Sequence, residues 1–455
     1  MDCTLSTQQQ ERLVSQMVAS AKRMAEQLVV EVSGASPQLE GLEKAVLAAL
    51  HELGNEMLCA LAVVWAPAYP PACLVCACGG DAHYQRQRSA QCQTLLGTIV
   101  VRRPYYLCSA CHQGFAPLDG QLGLCAGSIS AGLDELLALL GCQFSFAHSA
   151  ELVKRLTLVE VSANRCRRST EALGQRVVEA DETARQTAWE QPELPLPPVS
   201  EMPLDPLYIS ADGVTVHTRE RGWREQCVGA IYTAQPAPGA TTPPTLRAQQ
   251  TSFVTELGAR TQFTQSLWLE AQRRGLQTAA TQVFIGDGAH WLWETAQELF
   301  PSAIQILDWY HATTYVWKVA NDLSPSDAQA AKAWADDCLS DLWASRTPAV
   351  LQRLQPLATH RRSAQEALTY FTNNQTRMDY ARYRANHLQT GSGTIESACN
   401  HLIAQRLKQA GMRWNTDHAR AVAKVRARLK SDRWAETLAL RPPPHRPYRH
   451  HPLPI

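Results

Sequence analysis

The sequence predicts a multidomain α+β protein. Three observations carry that expectation. The chain has 455 residues, room for about three domains. Its composition, 45% apolar and 19% charged, is that of a globular protein with ample core. Its character also changes abruptly along its length: helical periodicity over residues 1–66, a cysteine-, proline- and glycine-rich stretch over 67–120, and helical periodicity again over 121–189. A proline-rich segment, EQPELPLPPVSEMPLDP (190–206), then reads as a linker, and from Leu207 strands alternate with helices.

In the first region, Leu13, Met17, Ala21, Met24 and Leu28 recur at helical spacing over residues 5–32, and a second helix is expected from Leu39 to Val64. Packing and dimerisation are both open to this pair. No basic segment followed by an apolar one marks a signal peptide at the N-terminus, and no uninterrupted apolar run approaches the roughly 18 residues of a membrane span. The expectation is a cytoplasmic protein with reduced thiols.

Fourteen cysteines are many for such a protein. Six fall between residues 73 and 111, and five of these form knuckle-like groups: Cys73, Cys76 and Cys78, then, after a hairpin-like stretch that includes TIVVRRPYYL, Cys108 and Cys111. Paired CxxC knuckles separated by strand-forming sequence bring four soft thiolates together, the donor set of a closed, structural Zn²⁺ site. The expected ligands are Cys73, Cys76, Cys108 and Cys111. Cys78, next to Gly79, is an alternative to Cys76. A segment of this size needs such a staple to fold.

Residues 147–156 and 162–174 read as two helices joined by a short turn, with Ser162 as the second N-cap and Arg165, Arg167 and Arg168 near its start. This arrangement suits a helix meeting phosphates or a DNA groove. The net charge of +1 is uninformative, but residues 401–455 hold twelve Lys/Arg against three Asp/Glu, either a phosphate-binding face or a solvated one. The tail, 436–455, is basic and proline-rich.

The alternating region carries acids where chemistry collects in sheets with helices packed on them, at strand carboxyl ends. LYISADG (207–213) is a strand ending in Asp212; GWREQCVGAIYT (222–233) reads as further strand; 252–274 is expected to be one long helical segment. VFIGDG (283–288) is a strand ending in Asp287, followed by a helix from about Ala289 to Leu299. IQILD (304–308) ends in Asp308, with His311 in the next helix. Far downstream, Ser392 or Thr394 can cap a helix running to Gly411, with Ile395, Cys399, Leu402 and Arg406 on one side and Glu396 in its first turn. Clustered carboxylates repel one another unless cations neutralise them, and Mg²⁺ suits hard oxygen donors. Asp-Gly turns are also common for conformational reasons alone, and Asp308 is placed to cap the helix that holds His311.

The blocks CSACHQGFAPLD, ADGV, GDGAHWLWETAQELFPSAIQILDWYH and GSGTIESACNHLIAQRLKQAGMRW, spread over roughly residues 70–435, resemble bacterial insertion-sequence transposases of the DDE class, in the ISKra group. Asp308-x2-His311 is similar to a signature of the related Mutator-like transposases. The first knuckle, CLVCACGG, is more cysteine-rich than a simple CPxCG turn. The resemblance implies an RNase H-like catalytic domain over 207–435 with an all-helical insertion at 313–388, and a catalytic triad of Asp212, Asp287 and Glu396 holding two Mg²⁺ ions. It also implies hydrolysis and strand transfer at element ends. Asp308 and His311 would be accessory, contacting DNA, ordering the site or serving structure. The cysteine-rich region 67–120 would be a zinc ribbon. The expected partners are double-stranded DNA, as terminal inverted repeats and target, and further copies of the chain, at least a dimer, in a nucleoid-associated protein. Arg165, Arg167, Arg168, Arg406, Lys408, Arg413 and Trp414 are the candidate DNA contacts. Trp291 and Trp293 are considered for base stacking or, more simply, for core packing.

Overall fold

A computed structural model describes residues 5–33, 38–64, 70–124, 129–192, 205–237 and 246–441. Most of the proline-rich segment and nearly all of the basic tail lie outside them. The chain is a mixed α+β, multidomain protein with two compact units: residues 1–173 with 438–455, and residues 174–437.

In the first unit, helices α1 (Thr7–Ser33) and α2 (Leu39–Val64) pair, with Arg23 and Glu56 joined at 2.8 Å. By length and composition α2 is long and apolar enough to cross a membrane, the one such helix among the described residues. Glu52 and Glu56 interrupt its apolar residues, so it holds no unbroken apolar run of that length. In the fold its C-terminal half is a packing surface. Leu58, Cys59 and Ala62 meet Cys92, Ile99 and Val101 of a β-hairpin, and the Asn55 side chain donates to the Leu96 carbonyl at 2.7 Å.

That hairpin is the centre of a four-stranded antiparallel sheet in the order β1 (Cys73–Val75), β2 (Asp81–Thr94), β3 (Gly97–Cys108) and β4 (Gly114–Phe115). A short helix, α3 (Pro117–Gln121), follows, and its Asp119 forms a buried ion pair with Arg103 of β3. Three capped helices come next: α4 (Ala131–Gln143), α5 (Phe146–Thr157) and α6 (Ala163–Glu190). Ser130 and Ser145 accept from the backbone N–H groups of Leu133 and His148, and Ser162 accepts from that of Arg165. The expected helix-turn-helix spacing is present, with Leu158 in the left-handed region (φ 56°) ending α5. The second helix does not stop near 174 but continues to Glu190, because its apolar positions persist through Val177, Val178 and Ala188, all buried.

The second unit is built on a five-stranded sheet in the order β7-β6-β5-β8-β9. Strands β5 (Leu207–Thr218), β6 (Gly222–Pro236) and β7 (Leu246–Leu257) form an antiparallel meander; β8 (Gln282–Gly286) and β9 (Ile304–Leu307) run parallel to β5. Residues 207–211 and 283–286 are buried throughout, as in strands covered on both faces. Helices α7 (Arg260–Arg273) and α8 (His290–Leu299) connect the strands. The expectation of one helix over 252–274 is wrong at its start. Residues 252–257 belong to β7, where Phe253 and Thr255 pair with Ala230 and Val228, and Gly258, at φ +73°, ends the strand.

After β9 the chain is helical: α9 (Trp309–Leu323), α10 (Ala328–Trp343), α11 (Thr347–Ala358), α12 (Arg362–Asn374) and α13 (Tyr380–Ala385). The helix bearing Glu396 begins as α14 (Gly393–Ala398), widens into π-helix over Cys399–Ala404, and ends as α15 (Gln405–Leu407), short of Gly411. Its inward side is Ile395, Cys399, Leu402 and Arg406, all buried. Helices α16 (Thr416–Lys430) and α17 (Trp434–Ala439) complete the described chain, α16 lying on β7.

Candidate carboxylate site and metal centre

Strand register sets three aspartates level. Ser210 of β5 lies beside Ile285 of β8, so two residues further on Asp212 comes level with Asp287; Gly286 lies beside Leu307 of β9, so Asp287 comes level with Asp308. The three have different surroundings. Asp212, half-buried between the β6 ladder and the π-helical segment, accepts from Gly213 N–H at 2.6 Å and lies 3.8 Å from Cys399 Sγ. Burial first, and then the nearby charge of Asp287, push its carboxyl above the ordinary range. Burial and the same Asp212 charge push the Cys399 thiol far up. Asp287 accepts from Ala289 N–H at 2.8 Å, and its carbonyl accepts from Tyr370 Oη of α12 at 2.6 Å. The next residue, Gly288, has φ +103°, and a Cβ there would meet the Tyr370 ring at 2.5 Å. Tyr370 stacks on Tyr315 of α9 with centroids 3.9 Å apart, so the helical segment fixes the Asp287 turn.

Asp308 is fully buried. Its Oδ2 accepts from the backbone N–H of His311 at 2.7 Å and meets His311 Nδ1 at 2.8 Å; its Oδ1 accepts from Ser392 N–H at 2.6 Å. It is therefore the N-cap of α9 and a positioning group. The bond to Asp308 raises the His311 pKa, and the charges of Asp287 and Glu396 add to the rise. Glu396 Oε1 lies 3.8 Å from His311 Nδ1 and accepts from Ser392 Oγ at 3.2 Å. Asp308, His311 and Glu396 thus offer ligand atoms within 4.8 Å of one another, and Glu396 keeps 48% of its side chain exposed. Ser392 precedes the helix but bonds to Glu396 rather than capping the backbone.

The segment before Glu396 is held from the sheet. Gln389 N–H donates to Tyr208 Oη at 3.1 Å, Trp309 N–H donates to the Thr390 carbonyl at 2.9 Å, and Tyr208 stacks on Tyr232. Sequence reasoning missed Ser392's backbone, Tyr208 and Tyr370 as parts of this site. Each acts across long sequence distances, and no local pattern announces it.

The cysteine cluster differs from expectation in one ligand. The four thiols that converge are Cys76, Cys78, Cys108 and Cys111, within 4.8 Å of one another. Cys76 and Cys111 are 3.7 Å apart and Cys78 and Cys108 are 3.6 Å apart. Sulfurs bound tetrahedrally at about 2.3 Å from zinc are about 3.8 Å apart, so the cluster can hold a metal ion such as zinc. Cys73 is not part of it. It is exposed and committed to the β1 ladder opposite His83, ahead of the turn in which Cys76 N–H donates to the Gly80 carbonyl at 2.8 Å. Backbone N–H groups of Cys111 and Ala110 pull the Cys108 thiol down to about 7, favouring a thiolate.

The expected nucleic-acid contacts fare unevenly. Arg168, Lys408 and Arg413 are exposed and Arg165 is half-buried. Arg167 pairs with Glu171 at 2.6 Å on its own helix. Arg406 is wholly buried, its guanidinium 4.9 Å from the Trp414 ring centre, and buried Trp414 donates from Nε1 to the Leu407 carbonyl at 3.1 Å. Neither can reach a phosphate or a base from there. Much of the basic density in α16 is likewise internal: Lys424 pairs with Asp181 and Glu256, and Arg426 donates to the Leu402 carbonyl at 2.8 Å. Trp293 is core, packed on Phe284, and Trp291 is half-buried with Arg260 over its ring.

These features define a class: a multidomain α+β protein with a four-thiol cluster able to hold metal and a carboxylate–histidine cluster at the carboxyl ends of parallel strands. The chain belongs to the uncharacterised protein family UPF0236, whose sequence profile matches residues 81–436. No curated protein matches it.

Proposed function

We propose that this protein is a DNA transposase of the DDE class, of the ISKra insertion-sequence group, with Asp212, Asp287 and Glu396 as its acids. The observation that carries the reading is the level placement of Asp212 and Asp287 on adjacent parallel strands, with Glu396 beside His311 in the first turn of the helix that follows the next strand. The sheet, an antiparallel meander extended by two parallel strands, supports an RNase H-like core. The helical stretch between β9 and α14 supports the inserted segment, and the thiol cluster on the β-hairpin supports a zinc ribbon.

The donor set suits a hard cation. It is all oxygen, and the half-buried Asp212 carboxyl feels the Asp287 charge, a repulsion that a divalent ion relieves. Asp212, Asp287 and Glu396 would hold two Mg²⁺ ions, which when bound supply Lewis acidity to the attacking and leaving oxygens of a phosphodiester. Asp308 keeps His311 oriented and favours its protonated form, so His311 presents positive charge beside Glu396 and to a phosphate entering there. In the reaction a water oxygen, and then the freed 3′-hydroxyl, forms the new bond to phosphorus while the 3′-oxygen it displaces departs. Of the expected contacts, Arg168, Lys408 and Arg413 are exposed and available to duplex DNA.

The test is strand cleavage of labelled DNA carrying the gene's own flanks, with Mg²⁺, by wild type, Asp287→Asn and Glu396→Gln. Cuts at the repeat boundary and joined products, lost in both variants while duplex binding persists, support the proposal. Nicks without joining would make the protein a nuclease of the same core. Specific binding with no cleavage by any of the three would reassign it as a DNA-binding regulator.

A further inference from the structure

A second charged site lies in the second unit, away from the strand-end acids. A cleft of about 500 Å³, including its open mouth, is walled by α6, the edge strand β7, α7, α16 and the turn after it. Its lining holds four cations, Arg273, Lys424, Arg428 and Arg433, against two carboxylates, Asp181 and Glu270. Glu270 is taken up by Arg433, which holds it with both terminal nitrogens, one at 2.9 Å. Asp181 is shared between Lys424, at 3.2 Å, and Arg428, at 2.6 Å.

Arg273, at the end of α7, is left over. It forms no hydrogen bond or ion pair among the described residues, and its Nε is buried, as is the partnerless Nε of Arg433. Burial and the nearby Arg433 and Arg428 charges bear on it, with Glu270 and Asp181 opposing. Like charges gathered at low dielectric are unfavourable unless an anion joins them. Guanidinium groups present planar N–H forks that match the oxygens of a phosphoryl group, and charge-assisted bonds there are the strong ones.

We propose that this cleft binds a phosphoryl group, with Arg273 as the determining residue. Lys424 is also engaged by buried Glu256, at 3.2 Å, so the uncompensated positive charge of the cleft centres on Arg273. The site shares no residue with the Asp212–Asp287–Glu396 cluster and does not depend on the function assigned to it. The phosphoryl group can belong to a small phosphorylated molecule or to a nucleic-acid backbone.

The experiment is calorimetric titration of the full chain with inorganic phosphate, at constant ionic strength in chloride, for wild type, Arg273→Gln and Arg273→Lys. The expected result is saturable binding by wild type, about tenfold or more weaker in Arg273→Gln and partly restored in Arg273→Lys. Melting of the phosphate-free proteins checks the fold, and Arg273→Gln is expected to be as stable as wild type. Absence of phosphate binding by wild type, or equal binding by all three, overturns the proposal. A duplex-binding arm in EDTA, run beside it, separates the sources. Loss of duplex affinity in Arg273→Gln, with competition by phosphate, supports the proposal and assigns the backbone; an unchanged duplex affinity with lost phosphate binding supports it and assigns a small phosphorylated ligand.

Discussion

Asp308 receives the backbone N–H of Ser392 at 2.6 Å, joining the end of β9 to the start of the helix that carries Glu396 across 84 positions of sequence. The same carboxylate holds the His311 backbone and ring. One fully buried side chain therefore fixes both the histidine and the glutamate, and its two oxygens already serve three N–H groups.

The first prediction follows from that arrangement. Asp308→Asn replaces an oxygen acceptor by an N–H₂ donor facing N–H groups, and leaves at least one buried donor unpaired. The expected loss is about 3 kcal/mol of stability, read from denaturant unfolding. Cleavage should fall with it, and His311 should titrate at lower pH by NMR. An unchanged histidine titration would show that Asp308 does not control the ring.

Metal content discriminates between the cysteines. Purified protein should carry a single zinc per thiol cluster, measured by elemental analysis. Cys78→Ser should lose it and unfold the β-hairpin region, whereas Cys73→Ser should keep it. Retention of zinc by Cys78→Ser and loss by Cys73→Ser would restore the pattern expected from spacing.

Arg406 tests the reading of basic residues. Because it is fully buried against Trp414, Arg406→Ala should cost about 3 kcal/mol of stability through lost packing and cation–π contact. It should leave the salt dependence of duplex binding unchanged. Lys408→Ala, at an exposed position, should lower that slope by about one.

Asp181 sets an acid-side stability. Burial opposes its ionisation, but the charges of Lys424 and Arg428 win and hold its pKa below that of a free aspartate. A carboxylate depressed in the folded state adds stability that is fully present above the unfolded-state pKa, about 3.9, and is lost as pH falls through the lower folded value. Asp181→Asn should therefore be less stable than wild type by about 2 kcal/mol at neutral pH, and the two should converge as the pH falls below the folded-state value. A stability gap that persists at low pH would assign the loss to packing.

Local chemistry made much of the fold legible. Apolar periodicity placed α1 and α2 within two residues, and the Ser162 cap marked the start of α6. Short apolar runs ending in an acid marked β8 and β9, because strands buried on both faces have few alternatives. The long helix expected over 252–274 failed for a related reason. Apolar positions in TSFVTEL satisfy helical and strand spacing alike, and only pairing with β6 decides between them.

What the sequence determined by itself is most of the inventory: the majority of the segments that become strands and helices, that Asp287 and Asp308 stand at strand ends, and that thiols crowd one hairpin. Those outcomes depend on neighbours within a turn or a ladder. What only the tertiary structure decided is which groups meet and which are withdrawn from solvent. It brought Cys78 into the cluster and left Cys73 outside, made Asp308 a buried clamp on Ser392, and took Arg406 and Trp414 into the core. Each of these depends on contacts between segments distant in the chain, whose approach is set by packing rather than by local composition.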